Sequence, residues 1–389
     1  CEVIDDGSLA SSRQVTVGTD GRLMITNLIR GGATLKNLPV AGKVKIDNRE
    51  LTLYKTENFS GAINEEGGTG GAVIIGYTDI DPAKSVAGDV TFTTAQGYTG
   101  ATTVEKGKLT LKSGDAITQS SEVTLKSGTS LNLVHDSGSP AFTAAIKNLN
   151  GSGDVSLVDN SLNVALDDDA AFSGKIGKAG ETGNVTFSST NSSKMTLSGE
   201  NLYSGTTTVG DTVELIMGDG GSIANSKEVI LGSSTGIGTL TLNKTTGDME
   251  TKIKGLSSVN TNSIVTIGAG NTLTLEGVPD TGTFAGKLNG IAGDELEKNF
   301  VLAIDETKTF GLAQSVGYVG ITDIRSGTLS LSSTATLNSS SRIEMGEKGT
   351  LDLSAVTTYT LSKKLSESAA WSTIKIDNKT LNVDPGNAV

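Results

Sequence analysis

Five short patterns return along the 389-residue chain in one order and at a spacing of about 110 residues. A chain that repeats itself at this interval is expected to build its core by stacking equivalent pieces. A Ser-rich turn enters a strand at Ser11-Ser12-Arg13-Gln14-Val15-Thr16-Val17, and again at Ser120 to Leu125, Asn225 to Leu231 and Ser340 to Met345; from Val15 to Val123, Val229 and Ile343 the steps are 108, 106 and 114. An L-x-L or L-x-I strand follows at Leu23, Leu131, Leu240 and Leu351. Two short strands around an Asn or Gly turn, Lys45 to Leu53, have counterparts ending at Leu162-Asn163-Val164, Leu273-Thr274-Leu275 and Leu381-Asn382-Val383. An F-x-G stands at Phe59-Ser60-Gly61, Phe172-Ser173-Gly174 and Phe284-Ala285-Gly286. Finally Tyr98-Thr99-Gly100-Ala101-Thr102-Thr103-Val104 matches Tyr203 to Val209 and, more weakly, Tyr318 to Ile324, where Asp323 and Ile324 replace Thr and Val.

Within each copy, apolar residues alternate with Thr, Ser, Asn or Lys over three to five positions, as in Lys108-Leu109-Thr110-Leu111-Lys112. Period 2 with one apolar face is the signature of a strand. The strands at Leu109/Leu111 and Leu131/Leu133 lie 22 residues apart, as do those at Leu329/Leu331 and Leu351/Leu353. That interval suits one coil of a β-solenoid, whose coils are too thin to bury their apolar faces alone. Four or five coils per copy, about 16 to 18 in all, would form an elongated single rod on the order of 80 Å long at ~4.8 Å per coil. Fifty glycines against five prolines suit many tight turns. An array of immunoglobulin-like sandwiches is the structural rival, but the one Trp, Trp371, sits in a single copy and no Pro-rich linker separates the copies.

Met195-Thr196-Leu197-Ser198-Gly199-Glu200-Asn201-Leu202-Tyr203-Ser204-Gly205-Thr206-Thr207-Thr208-Val209 resembles the passenger-associated transport repeat of bacterial autotransporters. The G-x-L-x-L strand that follows it in that family has counterparts at Gly107 to Leu111 and Gly327 to Leu331. The resemblance is strong over 195–242, good over 98–133 and degraded over 318–353. It implies a right-handed parallel β-helix, part of a passenger region exported across the outer membrane by a C-terminal translocator barrel. No series of barrel-like strands occupies the chain's end, Asp384-Pro385-Gly386-Asn387-Ala388-Val389. With both ends falling inside a copy, the chain is expected to be a segment of a longer passenger.

The sequence offers little for chemistry. A net charge of −12 disfavours nucleic acid, and no stretch approaches the ~20 apolar residues that span a bilayer. One Cys and one His remove most metal and acid/base constellations. Gly232-Ser233-Ser234-Thr235-Gly236 fits the hydrolase nucleophile elbow, but no helix pattern follows and His135 lies upstream. Asp167-Asp168-Asp169 could offer oxygen ligands to Ca²⁺, yet adjacent strand residues point to opposite faces, so a solvated turn is expected. The G-x-G at Gly151, Gly236 and Gly268 opens no helix and reads as turns. Cys1 suggests a lipidated start, but the repeat register aligns it with Leu109, an apolar strand position. His135 reads as a surface turn beside Asp136, and the recurring Tyr and Phe as stacked core.

The expectation is therefore an all-β, right-handed parallel β-helix running 1–389, with copies at 1–97, 98–202, 203–317 and 318–389. It is expected to need no cofactor, metal or catalytic residue. Its expected role is a surface-displayed or secreted stalk or adhesin scaffold, with a host-cell, matrix or glycan surface as partner, no nucleic acid and no membrane insertion by this segment. A polysaccharide-cleaving or polysaccharide-binding β-helix is the alternative. The insertions Asn64 to Lys84 and Asn289 to Lys298 are the expected places for adhesive loops.

Overall fold

The computed structural model describes residues 2–4, 22–27, 33–37, 42–66, 69–278, 282–291, 295–361, 364–367, 372–378 and 380–383. Cys1, the first Ser-rich turn at 11–17, Trp371 and the terminal 384–389 lie outside them. The chain divides into two compact units, Cys1–Val185 and Thr186–Val389, and the boundary falls inside the expected copy 98–202. Each unit is a β-solenoid of short parallel strands. The single helical element among the described residues is a 3₁₀ turn at Pro82–Lys84.

The strands of the first unit lie along three sides of the coil, though not every coil has a strand on the third. One side, sheet 1A, stacks residues 50–53, Ala72–Ile75, Thr102–Val104, Val123–Leu125, Leu149–Gly151 and Ala170–Phe172. The next, sheet 1B, stacks 55–59, Gly88–Phe92, Gly107–Leu111, Ser130–Leu133 and Asp154–Ser156. The third carries Lys43–Lys45, Ala62–Asn64, Thr143–Lys147 and Ser161–Leu166. Leu109 lies opposite Leu131 in parallel register, so the 22-residue interval is one turn. Alternation then places Val90, Leu109, Leu131 and Val155 in one buried inward column, where like side chains fill each coil's interior.

The second unit has the same three-sided plan. Sheet 2A holds Ser193–Leu197, Val213–Met217, Thr239–Leu242, Ile264–Ile267 and Lys287–Gly290. Sheet 2B begins at Glu250–Ile253 and continues through Thr272–Leu275, Lys298–Ala303 and the first halves of the long strands Ile321–Leu331 and Arg342–Asp352. Sheet 2C runs through Thr207–Val209, Val229–Leu231, Leu256–Ser257, Thr283–Phe284, Thr309–Leu312 and the second halves of those long strands. Leu329 pairs with Leu351, the second expected 22-residue turn. Other turns are longer: Val73 pairs with Thr102, 29 residues on. About 14 turns result, fewer than the 16 to 18 expected from a uniform 22.

The repeat is not a whole number of coils. From Phe59 at the end of a 1B segment, four turns of that sheet lead to Asp154–Ser156, and two further sides lead to Phe172 in sheet 1A. In the second unit, four turns and two sides likewise separate Thr207 in sheet 2C from Thr322 in sheet 2B. Within each unit, equivalent residues therefore return on a different side.

Candidate interaction surface and the buried clasps

The motifs most conspicuous in the sequence lie inside the coils. Tyr98, Tyr203 and Tyr318 are buried, and each hydroxyl meets the Thr four residues on: Tyr98–Thr102 at 2.7 Å, Tyr203–Thr207 at 2.6 Å and Tyr318–Thr322 at 2.7 Å. Each Thr hydroxyl meets a Ser from the next Ser-rich turn, Ser120 at 2.8 Å, Ser226 at 2.9 Å and Ser340 at 3.0 Å. The Ser in turn donates to the carbonyl of Gly100, Gly205 or Gly320. A carbonyl only accepts, so the protons run one way: Tyr donates to Thr, Thr to Ser, Ser to the backbone. Each Thr occupies an inward, otherwise apolar column, as Thr102 does between Val73 and Val123 and Thr322 between Phe300 and Ile343, and this chain satisfies a hydroxyl that burial would otherwise strand. Burial drives all three Tyr pKa values far up.

The F-x-G motif has an equally local cause. A Cβ on Gly61, Gly174 or Gly286 would lie 2.7 Å from the ring of the Phe two residues before it, and 2.0, 1.8 or 2.5 Å from the carbonyl oxygen of Gly42, Gly153 or Ser263. Glycine is required because the buried ring folds over its own chain against the neighbouring coil. The Tyr and Phe series are thus core, as expected. In the degraded copy, Asp323 stands on the outward side where Thr103 and Thr208 stand elsewhere. Its carboxylate is nearly buried beneath Lys298 at 2.7 Å and Arg325 at 2.9 Å, and Glu344 on the next turn takes Lys298 at 3.0 Å and Arg342 at 2.6 Å.

The candidate chemical residues are surface turns. In the G-x-S-x-G run, Ser234 is exposed, while Ser233 donates to the Asp211 carboxylate at 2.8 Å and its oxygen accepts the Gly236 N–H at 3.1 Å. The segment closes a turn between two strands with no helix behind it. Asp167, Asp168 and Asp169 are exposed; Asn148 Oδ1 takes the Asp167 and Asp168 N–H groups, and Lys147 pairs with Asp167 at 3.0 Å. Among the described residues no group of His, Cys, Asp or Glu is arranged to hold a metal. His135 presents Nε2 to Asp159 at 2.7 Å and Nδ1 to the Asp136 carbonyl at 3.1 Å. The Asp159 hydrogen bond, helped by that carbonyl, raises its pKa and links adjacent coils. Gly151, which ends the strand Leu149–Gly151, and Gly270, in a turn, take positive φ.

Among the described residues, two excursions depart from the solenoid surface. Asn64 to Lys84, expected as one insertion, contains the regular strand Ala72–Ile75; the departure is confined to 77–86, and residues 67–68 lie outside the described set. Tyr77 and Val86 exchange backbone hydrogen bonds of 2.8 Å in an antiparallel bridge. Asp81 caps the Pro82–Lys84 turn by accepting the Ala83 N–H at 3.1 Å, Asp79 N–H donates to Ser85 Oγ at 2.9 Å, and Tyr77 donates to Asp79 at 3.1 Å. This ordered hairpin leaves Ile80 fully exposed at 103%, with Tyr77 and Val86 also exposed. Ordering a loop costs conformational entropy, and Ile80 recovers none of it by burial. The second excursion is narrower than Asn289 to Lys298, because Lys287–Gly290 and Lys298–Ala303 are strands; it spans 291–297 and exposes Ile291 and Leu296, with 292–294 outside the described residues.

One concave feature had no sequence signal strong enough to single it out. A cleft of about 510 Å³ in the second unit is lined by Glu200, Asp219, Lys244, Asp248, Glu250 and Lys252, among others. Asp219 accepts the N–H and hydroxyl groups of Thr245 and Thr246, which draw its pKa down to about 2, the Thr245 backbone bond foremost. Lys244 is 6% exposed; its Nζ donates to the Glu250 carbonyl at 2.6 Å, and burial lowers its pKa. A lysine between Asn243 and Thr245 reads in sequence as an ordinary turn residue. Its burial follows from how neighbouring coils are spaced.

No family model, curated protein or solved structure matches this chain. Among the described residues no helix is long and apolar enough to cross a membrane.

Proposed function

We propose that this chain is a non-catalytic scaffold, a passenger segment of the bacterial autotransporter type, displayed at the cell surface or secreted as a stalk or adhesin support. The observation that carries the reading is the placement of the repeat. Its Tyr, Thr, Ser and Phe-x-Gly residues are spent inside the coils, and in the second unit the two clasps enter different sheets because a copy is four and two-thirds turns long. A repeat selected to build a reactive or ligand-binding face would return on one side; one selected to hold coils together need not. The sequence resemblance supplies the export route, and a chain with one cysteine can form no internal disulfide that would hinder its passage unfolded. In this proposal the 77–86 hairpin provides contact with a host-cell, matrix or glycan surface, since a preordered apolar tip reduces the entropy lost on binding.

Externally added protease applied to intact cells of the organism that encodes the chain tests the display. The segment should be shaved from the surface, or found in the culture medium, while a periplasmic marker stays intact; protection until the outer membrane is opened would overturn it. For the contact, Ile80→Asp should lower binding of the purified protein to host cells or matrix with an unchanged circular dichroism spectrum. New reducing or unsaturated ends from neutral or acidic polysaccharides, abolished by one carboxylate substitution, would overturn the non-catalytic reading.

A further inference from the structure

The cleft beside Lys244 lies where a sheet is interrupted. Glu250–Ile253 begins sheet 2B and, among the described residues, pairs only with Thr272–Leu275. On the preceding turns this side carries just the isolated bridge between Glu200 and Ser222, and no ladder joins Ser222 to the strand. Thr272 N–H donates to the Met249 carbonyl and Glu276 N–H to that of Ile253. The alternation of a parallel strand then turns the N–H and C=O groups of Glu250 and Lys252 away from the sheet, towards the cleft. Side chains cover half of this edge: Asp248 accepts the Glu250 N–H at 3.0 Å and the Lys244 ammonium caps the Glu250 carbonyl. The Lys244 backbone is clamped on both sides by Asn271, at 3.0 and 2.9 Å, so the ammonium can leave without moving the coil.

We propose that this edge accepts an extended peptide segment bearing a basic side chain, which adds as a strand to Glu250–Ile253 while Lys244 withdraws from the Glu250 carbonyl. Main-chain bonds to an exposed edge supply affinity in such additions, and side-chain pockets supply selectivity. Charge complementarity indicates the occupant. Asp219, Asp248 and Glu250 line the cleft against two ammonium groups. Lys244 is engaged by a carbonyl, and Lys252 by Glu276 at 3.2 Å and Glu250 at 3.7 Å. A Lys or Arg on the incoming strand meets surplus negative charge, whereas an acidic peptide is repelled.

The test is fluorescence polarisation with the whole chain and labelled seven-residue peptides alternating Thr or Val with Lys. Saturable binding is expected, lost when Glu replaces Lys and weakened about five- to tenfold by N-methylating one central amide, as the loss of one main-chain hydrogen bond requires. Lys244→Met, which frees the Glu250 carbonyl, should tighten binding, and Glu250→Gln should weaken it; circular dichroism checks that both variants stay folded. Absence of saturation at millimolar peptide, equal binding of the Lys and Glu peptides, or indifference to N-methylation and to Lys244→Met would each overturn the proposal. So would concentration-dependent self-association of Lys244→Met in sedimentation without peptide binding, because the occupant would then be a second copy of this chain.

Discussion

The one-way proton order in the buried clasps makes an unusual prediction for Tyr203 and Thr207. Tyr203→Phe removes a donor from Thr207 Oγ1, which keeps its bond to Ser226 at 2.9 Å, so it should cost about 1 kcal/mol. Thr207→Val preserves shape but strands the Tyr203 hydroxyl in a fully buried site. The Ser226 hydroxyl still has the carbonyls of Gly205 and Glu228, so the cost is chiefly one unsatisfied donor, about 2 kcal/mol. In the double variant nothing is stranded, and it should be about 1 kcal/mol more stable than Thr207→Val alone. Urea unfolding followed by far-ultraviolet circular dichroism reads all four proteins, and equal slopes license the comparison. If the two costs simply add, or the double variant is the least stable, the directed chain is wrong.

Other consequences are simpler. Thr251 is buried opposite Leu273, and its hydroxyl has no partner. Thr251→Val should raise stability by about 1 kcal/mol; a loss in the same unfolding assay would contradict the assignment. Gly286→Ala forces a Cβ against the Ser263 carbonyl and the Phe284 ring and should cost about 2 to 3 kcal/mol, visible as a lower thermal midpoint. Burial raises the pKa of Tyr98, Tyr203 and Tyr318, so the folded state holds these protons more tightly than the unfolded chain does. Their contribution is whole below the ordinary value of 10.0 and is lost as pH rises above it. Phenolate absorbance should therefore show these three tyrosines ionising only with unfolding; smooth titration of all six in folded protein would count against their burial.

Legibility in the sequence followed the range of the interactions. Strand alternation and the 22-residue turn are written in local spacing, so Leu109 facing Leu131 could be read directly. Each landmark was also visible as a separate pattern, but the bond joining Thr207 to Ser226 spans 19 residues and depends on which coil stacks on which. The constant offset from Tyr to Thr and the nearly constant 18 or 19 residues from Thr to Ser are the available signal. The insertion Asn64 to Lys84 is visible in the sequence but its limits are not, because Tyr77, Ile80 and Val86 continue the apolar spacing of Ala72–Ile75 and nothing local separates the 77–86 hairpin from that strand. The cleft at Lys244 was invisible for a different reason: it arises where ladder pairing lapses on one side of the solenoid, and a lapse leaves no motif.

Coil register is the claim on which the clasps, the edge and the proposed scaffold role all rest, and disulfide trapping measures it most directly. Lys108 lies opposite Ser130 in parallel register, and neighbouring strands about 4.8 Å apart bring paired positions within reach of a disulfide. With Cys1 replaced by Ser, Lys108→Cys combined with Ser130→Cys should oxidise readily under mild conditions, as read by loss of free thiol and mass spectrometry. Lys108→Cys combined with Asn132→Cys, two residues further along the strand, should stay reduced. Equal trapping of both pairs, or preference for the second, would contradict the stacked 22-residue turn.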